Sequence, residues 1–122
     1  MIFEKFVIAA KRQDPRNIFV ASDYECKGLP EDVAKFYREH NPTDVEVIFD
    51  GVNVILSPIE QILALSREYG LSQDQFVIAT CNGDPIFLNE GQVFIQCHGT
   101  MVPKPTIFAG SFVEFLNKIT KQ

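Results

Sequence analysis

Phe76-Val77-Ile78-Ala79-Thr80-Cys81-Asn82-Gly83-Asp84-Pro85-Ile86-Phe87-Leu88-Asn89-Glu90-Gly91-Gln92-Val93-Phe94-Ile95-Gln96-Cys97 is the stretch on which the fold turns. Three runs rich in β-branched and aromatic residues, Phe76 to Cys81, Asp84 to Leu88 and Gln92 to Cys97, are parted by Asn82-Gly83 and by Glu90-Gly91. Asn and Gly tolerate positive φ, so the first break suits a tight two-residue turn, and the whole segment reads as an antiparallel meander. Two-residue turns at both breaks set a register, and the register sorts the side chains. Ala79, Ile86 and Ile95 then form one row, Val77, Leu88 and Val93 a second, and Cys81, Asp84 and Cys97 a third near the turn. This face is aliphatic and is expected to pack on helices. The opposite face carries Ile78, Phe87 and Phe94, with Thr80, Pro85 and Gln96 in the next row. An antiparallel sheet normally keeps one face polar and wet. An apolar second face is either covered by a helix or the Pro-rich loop, the commoner outcome, or left open as an interface. We read it as at least partly exposed and in contact with a partner or a second subunit.

Upstream, Val45 to Phe49 and Val52 to Leu56 flank Asp50-Gly51, a strong hairpin signal. Ser57-Pro58-Ile59-Glu60 then opens a helix, with Ser57 as cap, Pro58 in the first position and Glu60 reaching back. Ile59, Ile62, Leu63 and Leu65 are expected to face inward with Tyr69, and Gly70 to follow the helix as its left-handed residue. Nearer the N-terminus, Ile2, Phe3, Phe6, Val7 and Ala10 mark one face of a helix from Ile2 to Arg12, ended by Asp14-Pro15. Asn17 to Ala21 is a short extended candidate. Gly28-Leu29-Pro30-Glu31-Asp32 starts a second helix, with Val33, Phe36, Tyr37 and His40 on its stripe and Asn41-Pro42 stopping it. Downstream, Gly99 to Gly110 contains Pro103 and Pro105 and is expected to be loop or edge strand. Ser111 to Thr120 closes the chain as a helix, with Ser111 and Glu114 at capping-box spacing and Phe112, Phe115, Leu116 and Ile119 buried. The expected fold is α+β, a single domain over residues 1–122: a mostly antiparallel sheet, hairpin plus three-stranded meander, packed with about four helices.

The 122 residues are 46% hydrophobic, with 11 Phe, and 22% charged, a composition able to build a packed core. The net charge of -5 lacks the cationic footprint that binding nucleic-acid phosphates requires. It leaves room for a basic protein partner, although plain solubility is the simpler meaning. Three cysteines, Cys26, Cys81 and Cys97, at no metal-ligand spacing suit a reducing compartment. Met1-Ile2-Phe3-Glu4-Lys5-Phe6 lacks the features of a signal peptide, and no apolar run is long enough to cross a bilayer. The expected location is cytoplasmic, with no membrane partner.

Reactive groups are sparse. Cys97 and His98 are adjacent and would point to opposite faces of a strand, so they do not form a nucleophile–base pair. His40 sits on the apolar stripe of its helix as a helix-end residue. Cys81, Asp84 and Cys97 share a row, which reads more simply as two small apolar thiols beside a turn carboxylate than as a ligand set. Asp44, Glu46, Asp50 and Asp84 lie near strand ends, with no spacing that pairs two of them. Asn82-Gly83-Asp84 is followed by no further glycine, basic residue or helix, unlike a phosphate loop. No catalytic residue, cofactor or metal is expected.

Several segments together resemble the SUKH superfamily of bacterial toxin-immunity proteins and related fungal cell-wall synthesis regulators. They are Leu29-Pro30-Glu31-Asp32-Val33 with Phe36-Tyr37, then Ser57-Pro58-Ile59-Glu60-Gln61-Ile62, then Phe76-Val77-Ile78-Ala79 leading into Asn82-Gly83-Asp84. Ile86-Phe87-Leu88 and Ser111-Phe112-Val113-Glu114-Phe115-Leu116 complete the series, which runs from about Gly28 to Lys118. The chain departs from the pattern at Asn41-Pro42, where an aromatic-Gly or Asn-Gly step is usual, and it has no Trp. The resemblance implies helices on a mostly antiparallel sheet, no shared active site, and a protein-binding role, often as an antitoxin against a cognate toxin that is commonly a nuclease. On that reading Ile78, Phe87, Phe94 and Gln96 are candidate contacts on the second sheet face. Asp50, Asp84 and Glu90 are candidate acidic contacts to a basic toxin domain, each with a simpler role as a turn residue. Gly51, Asn82, Gly83 and Gly91 are structural turn positions. The alternative is an intracellular scaffold or regulatory module that recognises partners or self-associates, so monomer and homodimer both stay open. A small enzyme would need a deep pocket gathering His40 or His98 with Cys81 or Cys97.

Overall fold

Amphipathic runs, turn residues and caps shape most of the chain as the sequence implies. A computed structural model describes residues 2–96 and 105–120. Helix α1 (Ile2–Gln13) buries Phe6 and Ala10 and leads to strand β1 (Ile18–Val20). Helix α2 (Glu31–His40) follows Pro30, carries Glu31 and Asp32 in its first turn, and buries Val33, Phe36 and Tyr37. The chain does not simply stop at Asn41-Pro42. Strand β2 (Asn41–Asp44) continues there and pairs antiparallel with β1, Pro42 opposite Phe19. A two-stranded ribbon tolerates the missing donor of a proline, because each of its strands is an edge.

The rest builds one sheet. Its strands are β3 (Glu46–Phe49), β4 (Val52–Leu56), β5 (Gln75–Cys81), β6 (Asp84–Asn89), β7 (Gln92–Ile95) and β8 (Thr106–Ala109). They lie in that order, every neighbouring pair antiparallel, so hairpin and meander are continuous. Thr106–Ala109 gives the Pro-rich segment its edge strand, while 97–104 lies outside the described residues. All three tight turns have positive φ at both central residues: Asp50 and Gly51 at 54° and 80°, Asn82 and Gly83 at 53° and 82°, Glu90 and Gly91 at 52° and 81°. Such turns match the natural twist of the strands they join.

Between β4 and β5 a 3-10 turn (Ile59–Gln61) leads into α3 (Ile62–Glu68). The helix closes as a Schellman motif, with Gly70 N–H donating to the Arg67 carbonyl and Leu71 N–H to that of Ser66. The inward stripe differs from the expected one. Ile59, Ile62 and Ser66 are buried, whereas Leu63 is exposed and Leu65 half-buried. A tighter opening turn of three residues rotates the helix that follows relative to an uninterrupted 3.6-residue period. The cap differs too. Asn41 Oδ1 accepts the Ile59 N–H at 2.9 Å and Asn41 Nδ2 donates to Glu60 at 3.1 Å, so Asn41 takes the part expected of Ser57.

Helix α4 (Phe112–Thr120) starts as expected. Ser111 Oγ accepts the Glu114 N–H, and the Glu114 carboxylate accepts the Gly110 N–H. The sheet curls around this helix. Phe49 on one edge strand meets Phe108 on the other at 5.7 Å between ring centroids, and Phe108 packs on Phe115 of α4. Lys118 bridges the seam, donating to the Phe108 carbonyl with Nζ 4.3 Å from that ring's centroid. Phe36 ties the three long helices together, edge-on to Phe3 and Phe112 at 5.3 Å each.

Candidate functional site

The aromatic face is where the sequence reading needs correction. Ala79 does oppose Ile86, which opposes Ile95; Leu88 opposes Val93, Phe87 opposes Phe94, and Thr80 opposes Pro85. Strand β5, however, carries a bulge between Val77 and Ala79. Phe76 rather than Val77 therefore sits opposite Leu88, and Val77 rather than Ile78 sits opposite Phe87. The backbone groups that a bulge withdraws from the ladder need other partners. Val77 N–H donates to Ser66 Oγ at 3.1 Å, while the Ile78 carbonyl stays in the ladder on the other side of β5, accepting the Ser57 N–H at 2.9 Å one step beyond the Leu56–Ala79 pair. Ile78 joins the main core at 1% exposure, and Phe87 is equally buried outside that core cluster. Neither side chain offers a surface, so the exposed row expected at Ile78 and Phe87 does not form. Phe94 and Gln96 stay half-buried, Phe94 stacked on Phe87 at 5.7 Å and Gln96 N–H bonded to the Pro85 carbonyl. Among the described residues the row opens on β8, where Ile107, opposite Phe94, is 61% exposed.

The candidate carboxylates separate by the direction of the strands. The turns at Asp50-Gly51 and Asn82-Gly83 lie at one end of the sheet, so Asp50, half-buried Asp84 and Gln96 share that end. Glu90 lies at the opposite end, lining a groove of about 170 Å³ with Gly28, Pro30, Asp74 and Phe76. Tyr69 Oη fastens α3 to the first end by donating to the Gly83 carbonyl at 2.8 Å. Cys81 opposes Asp84 as expected, while Cys97 and His98 fall outside the described residues. His40 ends α2 half-buried, with Nε2 3.9 Å from the Glu39 carboxylate. No group of three or more His, Cys, Asp or Glu able to hold a metal occurs among the described residues. Among them, too, no helix is long and apolar enough to cross a membrane.

A different surface emerges on the outer face of β3 and β4. Val47 and Val54 point to the core, so their neighbours Glu46, Ile48, Asn53 and Ile55 point out. Ile48 is 61% exposed and Ile55 50%. Ile55 lines a groove of about 260 Å³ with Thr80, Gln61, Leu65 and Asp44. Asp44 also borders a second groove, of about 240 Å³, with Glu46, Asp14, Arg16 and Asn17. Arg16 is committed to Asp14 through Nε and Nη2, at 3.1 and 3.0 Å, which holds the Asp14 carboxyl below its ordinary range. Asp44 and Glu46 form no ion pair among the described residues.

The backbone edge of β3 is closed by two side-chain amides. Gln13 Oε1 accepts the Ile48 N–H at 2.8 Å while its Nε2 donates to the Ile48 carbonyl at 3.4 Å. Asn17 Oδ1 accepts the Glu46 N–H at 3.0 Å, and its Nδ2 donates to the carbonyls of Glu46 and Ala10. Each amide imitates a peptide group of a neighbouring strand, which is one way to blunt an edge against unwanted pairing. A two-residue turn at Asp50-Gly51 puts Glu46, Ile48, Asn53 and Ile55 on one face, a consequence that reading the sequence missed. Polar Glu46 and Asn53 were the signal that this face is wet, and the two isoleucines among them were the signal of an exposed apolar strip. Compared with protein-family models, with curated proteins and with solved structures, the chain matches none.

Proposed function

We propose that this chain is a non-catalytic protein-binding domain that acts in the cytoplasm as an immunity protein, neutralising a toxin encoded beside it by binding and occluding it. The observation that carries the reading is the ordered series of SUKH-like segments from Leu29 to Leu116. Exposed aliphatic side chains on a sheet face, with carboxylates beside them, add support. Such a surface suits recognition of a basic domain, since opposite fields speed encounter and select partners. The test is co-expression with the C-terminal region of the protein encoded by the adjacent reading frame. Restored growth of the host, with a stoichiometric complex recovered from it, is expected. A toxic product that the chain neither binds nor blocks would sink the reading.

The alternative, an intracellular regulatory module that self-associates, draws on one feature: Ile107 exposed on edge strand β8 beside half-buried Phe94. Sedimentation of the purified chain separates the two, because a stable homodimer at micromolar concentration favours the module and a monomer favours the antitoxin.

A further inference from the structure

We infer that the outer face of β3 and β4, centred on Ile48 and Ile55 and edged by Asp44, Glu46 and Asp50, is the docking surface for a basic protein domain that inserts an apolar side chain beside Ile55. The inference rests on the immunity-protein reading and gives it a location. The two isoleucines are diagonal neighbours, since Ile48 opposes Asn53 and Glu46 opposes Ile55, so they make one strip rather than two isolated residues. The groove among Ile55, Thr80, Gln61 and Leu65 is a concave place for a large side chain, and buried anchors in such places carry most interface energy.

Charge chooses the occupant. Asp44 borders both grooves, Glu46 stands opposite Ile55, and Asp50 lies in the turn just beyond Ile48, while Arg16, the cation that shares the groove at Glu46, is held by Asp14. A second copy docking isologously would bring these carboxylates toward their own copies, and like charges face to face are unfavourable. A domain with lysines or arginines around an apolar residue meets the strip without that conflict. The mode of contact follows from the edge. Gln13 and Asn17 occupy the outward N–H and carbonyl groups of Ile48 and Glu46, so the partner engages the face through side chains and does not add as a strand.

The experiment measures affinity for the purified toxin domain from the adjacent reading frame, an inactivated variant being used as the probe. Ile48→Asp and Ile55→Asp are each expected to weaken binding by roughly tenfold or more. Glu46→Lys is expected to slow association several-fold and to flatten its dependence on salt. Ile8→Asp on α1 and Ile107→Asp on β8 are expected to bind as the parent chain does. If either isoleucine change on the strip disturbs folding, Glu46→Lys, at an exposed side chain, keeps the test decisive. Parent-like binding by the strip variants would overturn the surface while leaving the immunity reading intact. A parent chain that fails to bind the domain would remove both.

Discussion

Asn17 shows how much of this fold rests on single polar side chains that local sequence does not explain. It is buried, and its amide bonds α1 to the edge of β3 through three hydrogen bonds. Asn17→Ala leaves the Glu46 N–H and carbonyl without those partners, and about 2–3 kcal/mol of stability should be lost in urea unfolding. Gln13→Ala removes a similar pair at an exposed site, where water replaces the amide, and should cost less than about 1 kcal/mol. A loss at Asn17 no larger than that at Gln13 would mean the clamp contributes little. From sequence Asn17 is only the start of a short extended run, because its partner at Glu46 is distant along the chain. The same holds at Asn41, which caps Ile59 across the fold while the local Ser57–Glu60 spacing goes unused. Where donor and acceptor are neighbours in sequence, as at Ser111 and Glu114, the cap could be read directly.

Elements were readable where their signals are local. The Asp50-Gly51 and Asn82-Gly83 turns, the Gly70 helix end and the stripe of α4 all depend on residues within a few positions of one another. The bulge in β5 was not readable. No Gly or Pro marks it between Phe76 and Cys81, and Ser66, whose hydroxyl accepts the Val77 N–H, lies on α3. One residue of slip was enough to put Val77 in the place of Ile78 opposite Phe87 and so to take Ile78 out of the expected contact row, whereas Phe87 is buried in the expected register with Phe94. The Glu90-Gly91 turn offers a test of the hairpin geometry. Glu90 holds a φ of 52°, in a region that disfavours most side chains and that Asn visits readily. Glu90→Asn should therefore raise stability by about 0.5–1 kcal/mol, read from the urea midpoint. A destabilised variant would show that the Glu90 side chain does more than occupy a turn.

Across the molecule, an apolar interior is built from three helices meeting at Phe36 and a sheet curled over α4. Tyr37 lies in that interior. Burial, with a smaller contribution from nearby Cys26, pushes its phenol well above its ordinary value of 10.0. Below that pH both folded and unfolded chains keep the proton, and Tyr37 gives stability no pH dependence. Above it only the unfolded chain releases the proton, so stability falls by about 1.4 kcal/mol per pH unit from this residue. Tyr37→Phe should lose that much of the alkaline slope between pH 10 and 12, measured against the parent by urea unfolding. Equal slopes in the two proteins would contradict a buried Tyr37 phenol.

Overall class, hairpin and meander follow from patterns the sequence displays openly, but the choice of exposed face did not, because Ile48 and Ile55 are as apolar as the valines beside them. Their position among Glu46 and Asn53 is what distinguishes them once the hairpin register is known. The claim that this strip meets a basic partner can be read at the side chains themselves. Radical footprinting of the free chain and of its complex with the adjacent toxin domain should show labelling of Ile48 and Ile55 suppressed on binding, with Ile107 unchanged. Suppression at Ile107 and Phe94 with Ile48 and Ile55 still labelled would place the contact on the other edge of the sheet and contradict the account.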